Sequence, residues 1–114
     1  MKMELARIAE LVKGAAVTPA DVAPAVSCAY SSDLLSDVMG HAPEDSVLIT
    51  IQNHLNTIAV CTLAGINAIV LCHGRPAPDD MVAAAAREGV AIIVSPLSQY
   101  AAALALSELP PASR

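Results

Sequence analysis

The chain has 114 residues, 55% of them apolar, and a formal net charge of −5. That length suits one domain with a true core. The acidic balance argues against nucleic acid and against an acidic membrane surface as partners, because phosphate binding needs clustered Lys and Arg, and two Tyr with no Phe or Trp leave no platform on which bases could stack.

In chain order, Glu4 to Lys13 reads as a helix: Leu5, Ile8, Leu11 and Val12 share a face, and Gly14 supplies the stop. Residues 15–24 hold Pro19 and Pro24 and read as a loop or a short edge strand, since proline cannot donate to a ladder. Residues 1–24 are therefore expected to be a helix and loop packed on the domain that follows. From Ala25 a strand–helix alternation begins. Strand Ala25–Ala29 is followed by a helix over Ser32–Met39, capped by Ser31 or Ser32 and ended by Gly40. Strand Val47–Ile51 leads to helix Leu55–Ala64, capped by Asn53 and stopped by Gly65. Strand Ala68–Cys72 leads to helix Pro78–Glu88, with Asp79 and Asp80 in its first turn and Arg87 in its last, as the helix dipole favours. Strand Ala91–Val94 leads to helix Ser98–Leu109, capped by Ser98, and residues 110–114 are expected to fray.

Val47-Leu48-Ile49, Ile69-Val70-Leu71 and Ile92-Ile93-Val94 are continuous apolar runs, the pattern of strands buried on both faces. The expected fold is α/β: a mostly parallel sheet with helices on both faces, built from right-handed βαβ units over residues 25–109. Mean hydropathy is +0.57, yet no apolar run reaches the ~18–20 residues of a spanning helix, and Met1-Lys2-Met3-Glu4 does not open a signal peptide. A cytoplasmic protein is expected. Cys28, Cys61 and Cys72, an odd number without motif spacing, fit a reduced chain.

In such a sheet, ligands sit outside the carboxyl ends of the strands. The residues there are Tyr30-Ser31-Ser32-Asp33, Gln52-Asn53-His54, His73-Gly74-Arg75-Pro76 and Ser95-Pro96-Leu97-Ser98. The candidate ligand-binding residues are Ser31, Ser32, Asp33, Asn53, His54, His73, Gly74, Arg75, Ser95 and Ser98. Four helix N-termini at this edge offer N–H groups to an anion, and Arg75 adds a fork of donors. The same polar residues also suit plain helix capping.

Two constellations resemble metal or nucleophile chemistry. Asp33 and Asp37 share a helix face at i, i+4, with His41 the next step, although Gly40 is expected to end the helix first. Cys72-His73 ends one strand and His54 another, and the three would approach one another if those strands are neighbours, without a second Cys at CxxC spacing. No metal and no cofactor are expected. There is no GxxxxGK[ST], GxGxxG or GxSxG, and the two lysines, Lys2 and Lys13, both fall in the N-terminal helix. Phosphotransfer lacks its usual parts.

The stretches Tyr30 to Met39 (YSSDLLSDVM), Ile49 to His54 (ITIQNH), Gly74 to Asp79 (GRPAPD) and Glu88 to Ile92 (EGVAI) resemble a stand-alone DRTGG-domain protein, a family similar to the N-terminal domain of HPr kinase/phosphorylase. The resemblance spans roughly Ala25 to Leu109. The family's name motif would fall near Cys72-His73-Gly74, where only Gly74 fits. The kinase activity of the larger proteins resides in a separate P-loop domain, so the resemblance implies a regulatory or ligand-binding module rather than an enzyme. The leading expectation is a homodimer binding a small anionic or nucleotide-like ligand at the strand carboxyl edge. The alternatives are an interaction subunit that docks a larger enzyme through apolar helix faces such as Ala101-Leu104-Ala105, or a small metal- or thiol-dependent enzyme.

Overall fold

The computed structural model describes residues 2–19, 21–22 and 25–111. The three apolar runs become the interior of one sheet. Strands β4 (Cys28–Ser31), β5 (Ser46–Thr50), β6 (Ala68–Leu71) and β7 (Ala91–Val94) lie side by side and parallel, in sequence order. Helices α2 (Leu35–His41), α3 (Leu55–Ala64) and α4 (Asp79–Glu88) connect them. Strand β2 (Ala15–Ala16) joins β7 antiparallel, so of the loop and the short edge strand left open for residues 15–24 the chain forms an edge strand at the start of that stretch.

Side-chain alternation along the strands splits the core in two. Leu48, Ile69, Leu71 and Ile92 pack with Val38 of α2, Ile58 and Cys61 of α3, and Met81, Ala84 and Ala85 of α4. Val47, Ile49, Val70, Cys72 and Ile93 pack with Ile8 of α1 (Leu5–Leu11) and Val12 just after it, and with Ala102 of α5 (Gln99–Ala105) and Leu106 just after it. All three crossovers therefore lie on one face, and α1 and α5 cover the other. Burying a large aliphatic side chain such as Ile69 or Leu71 contributes roughly 1.5–3 kcal/mol. The sheet is mostly parallel with helices on both faces, as expected.

Four local differences have physical causes. The strand read at Ala25–Ala29 is two strands. β3 (Ala25–Val26) pairs antiparallel with β1 (Met3–Glu4), and the chain changes partner at Ser27 to enter β4. Asp45 causes the break: its carbonyl accepts the Ser27 N–H at 2.7 Å and its carboxylate accepts the Ser27 hydroxyl. Second, α2 starts at Leu35 and runs through Gly40 to His41. Neither Ser31 nor Ser32 is its N-cap residue, although Ser32 Oγ accepts the Leu34 N–H at 3.2 Å. Third, Lys13 (φ 56°) takes the left-handed position that ends α1. Gly14 serves close approach instead: a Cβ there would lie 2.6 Å from the Val94 carbonyl oxygen. Fourth, the chain is held to Pro110, whose carbonyl accepts the Ala29 N–H at 3.0 Å and covers part of the open edge of β4. Residues 112–114 of the expected tail lie outside the described residues.

Candidate functional site

The parallel order brings all ten candidate residues to the carboxyl edge of the sheet. Three centres organise them. The first is Asp33. It was expected in the first turn of α2 but precedes the helix. Its Oδ1 accepts three hydrogen bonds: from Thr50 Oγ1 at 2.9 Å, from the Ile51 N–H at 2.9 Å and from Gln99 Nε2 at 3.0 Å. Gln52 Nε2 donates to the Asp33 carbonyl at 2.7 Å. Asp33 thus ties the ends of β4 and β5 to the start of α5. Ser31 is exposed and Ser32 half-buried beside it.

The second centre is the turn after β6. The Arg75 N–H donates to the Cys72 carbonyl at 3.2 Å, across His73 (φ 59°) and Gly74 (φ 63°). Two left-handed residues in the middle of a turn make it type I′, and holding a non-glycine residue there costs about 1 kcal/mol. The Arg75 guanidinium donates to Asn53 Oδ1 at 2.9 Å, and Asn53 Nδ2 donates to the Pro76 carbonyl at 2.7 Å. Asn53 is thereby spent on the neighbouring turn. His54, not Asn53, caps α3, through Nδ1 accepting the Asn56 N–H at 3.0 Å.

The third centre is Ser95, fully buried. Its carbonyl accepts the Gly74 N–H at 2.8 Å, and its hydroxyl donates to the Val12 carbonyl at 2.6 Å. From here the chain crosses over the end of β6, where the His73 N–H donates to the Leu97 carbonyl at 2.8 Å, and enters α5 on the opposite face. Ser98 caps α5, accepting the Ala101 N–H at 3.1 Å.

These contacts change the expected electrostatics. His54 and Ser98 each occupy an N–H at the start of a helix, and α4 opens with Asp79 and Asp80, which disfavour an anion. Positive charge at the rim comes instead from a side chain, that of Arg75. The backbone of Lys13, a residue not expected here from the sequence, also comes to this edge. The α1–β2 corner packs against β7, so Lys13 follows the very residue whose carbonyl Ser95 grips. Nothing local in the sequence signals that placement, because it depends on a hydrogen bond between residues 83 positions apart.

The two metal-like constellations do not assemble, and among the described residues no three His, Cys, Asp or Glu side chains converge. Because α2 continues to His41, His41 Nδ1 does meet Asp37 Oδ1 at 3.1 Å, and Tyr30 donates to Asp37 at 2.6 Å, but Asp33 is engaged elsewhere. The Tyr30 hydrogen bond leads in holding the Asp37 carboxyl below the usual aspartate range. Cys72 is buried in the core and burial pushes its thiol up to about 11; Cys61 is pushed up to about 12 for the same reason. Both thiols are protonated near neutral pH, which removes the nucleophile that thiol chemistry needs.

Fold and edge together define a small open-sheet α/β module with a polar rim that carries the Arg75 guanidinium. No protein-family model matches the chain, and no curated protein sequence does. Among solved structures, it is similar to the CBS and DRTGG domains of the regulatory region of a Clostridium perfringens pyrophosphatase, crystallised with the activator diadenosine tetraphosphate, with a TM-score of 0.76 at 12% identity. The match covers 95% of this chain and 47% of the pyrophosphatase chain, so the present chain spans about half its length. At that identity the likeness is one of fold, and it supports the DRTGG-like fold expected from the sequence.

Proposed function

We propose that the chain is a non-catalytic regulatory module that binds a small, nucleotide-like anion at the carboxyl edge of its sheet. The observation that carries this is the guanidinium of Arg75, exposed yet steadied by Asn53, beside exposed His54 and the left-handed His73-Gly74 turn. A guanidinium has five N–H donors in a planar fork that matches a phosphate, and only one bond is made to Asn53. Steadying the fork in advance lowers the entropy cost of binding. Lys13, on the other side of Ser95, supplies a second charge for a ligand with more than one phosphate. Ser31, Ser32, Asp33, Ser95 and Ser98 shape the rim.

Two likenesses support the reading. The pyrophosphatase region of similar fold is regulatory and was crystallised with a nucleotide activator. The resemblance to DRTGG-domain proteins, and through them to the N-terminal domain of HPr kinase/phosphorylase, points to the same class. Such a module acts through another protein surface, so a homodimer or a larger partner enzyme is part of the proposal.

Calorimetric titration with diadenosine tetraphosphate, ATP and inorganic phosphate tests it. Nucleotide binding is expected, weakened at least about tenfold in Arg75→Ala, as loss of one charge-assisted contact implies. Lys13→Ala should weaken the polyphosphates more than inorganic phosphate. No binding of either nucleotide, or an unchanged affinity in Arg75→Ala, would overturn the assignment.

A further inference from the structure

Helix α3, Leu55–Ala64, contains no charged residue. Its inner face buries Thr57, Ile58 and Cys61, while its outer face exposes Leu55 at 41% and Leu63 at 74%. Asn56 and Thr62 are the polar residues of that outer face, and a helix with no charge on either face is characteristically covered on both. Between α3 and α4 runs a groove of about 360 Å³, lined by Leu55, Ala59, Leu63 and Ala84 and rimmed by Arg87 and Glu88. Among the described residues the ion pairs are Lys2–Asp45, Arg7–Glu10 and Asp37–His41, and neither Arg87 nor Glu88 has an ionic partner among them.

We infer that this groove is a self-association face, and that its occupant is the same groove on a second copy of this chain. Three observations select that occupant. The surface carries both a knob, Leu63, and a hollow, as a two-fold interface requires of a single patch. It also carries one unpaired charge of each sign. A two-fold axis can set Arg87 of one copy against Glu88 of the other, twice, whereas an acidic or basic partner would leave one of the two unmatched. Finally, the chain bears a net charge of −5, so copies repel over most of their surface. The lining of the groove itself carries one charge of each sign, Arg87 and Glu88, and so adds no net charge to that repulsion. Another exposed apolar pair, Tyr100 and Leu104 on α5, has no charged residue on its helix to set a register.

Sedimentation equilibrium and light scattering test the inference. The wild type is expected at about twice the 11.6 kDa chain mass. Leu63 is exposed, so Leu63→Glu should leave the circular dichroism spectrum unchanged and the melt cooperative while shifting the mass to the monomer. Arg87→Glu should raise the dimer dissociation constant at least about tenfold, and Arg87→Glu combined with Glu88→Arg should restore it. The inference is overturned by a monomeric wild type, by a dimer that survives Leu63→Glu, by a dimer broken only by Leu104→Glu, or by a double charge swap as weak as Arg87→Glu alone.

Discussion

Asp33 shows how one residue can be legible in kind and misplaced in role. Its position after a strand marks it as a rim residue, and that is where it lies. Its partners Thr50, Ile51 and Gln99 are 17 to 66 positions away, so no local pattern separates a first-turn aspartate from one that ties three elements together. Asn53 is similar: its pull toward Arg75 and Pro76 leaves the cap of α3 to His54. Removing the Asp33 carboxylate strands a buried hydroxyl and two further donors at the junction of β4, β5 and α5. Asp33→Ala is expected to lose about 2–3 kcal/mol of stability in urea unfolding. Asp33→Asn, which retains an acceptor oxygen, should lose clearly less. Equal losses for the two would contradict the hydrogen-bonded role.

At the scale of elements, β5, β6 and β7 are readable because apolar runs buried on both faces carry their own signal, and α3 and α4 end at Gly65 and Gly89, both left-handed. The β1–β3 ribbon is not readable, because its break is set from a distance by Asp45. That residue, itself left-handed at φ 64°, accepts from Lys2 Nζ at 2.7 Å, from Ser27 and from Asn67. It fastens the N-terminal segment to the amino end of the sheet, opposite the rim. The Lys2 hydrogen bond, followed by that from Ser27, lowers the Asp45 pKa below its ordinary value. A depressed folded-state pKa means that the stabilisation is complete above the unfolded aspartate pKa of about 3.9 and is lost as pH falls through the folded value. Melting temperature should therefore drop from about pH 4 downward. Asp45→Asn should melt lower than wild type at neutral pH and show a shallower acid decline. Because Asp37 is also depressed and contributes in both proteins, the difference between the two curves is the relevant quantity. Parallel curves would assign the ribbon's attachment to other contacts.

Over the whole molecule, the order of the sheet explains why the proposed ligand site falls at one edge. Four parallel strands in sequence order, with three crossover helices on one face, send every strand-to-helix turn to the same side. The chain then crosses that side once, through Ser95 to Ser98, to reach α5 on the other face. The placing of Arg75 and Lys13 follows from this path: Arg75 lies under the crossing segment and Lys13 beside its start. The ligand proposed at the rim and the second copy proposed at the α3–α4 groove use different side chains, so one molecule has both surfaces available. A nitrogen-15 correlation spectrum titrated with diadenosine tetraphosphate tests the central claim most directly. Shifts should concentrate at the amides of Lys13, residues 52–54, residues 73–75, Ser95 and residues 97–98, and should vanish in Arg75→Ala. An unperturbed spectrum at millimolar ligand, or shifts confined to Leu55, Leu63 and Arg87, would contradict a ligand site at the carboxyl edge.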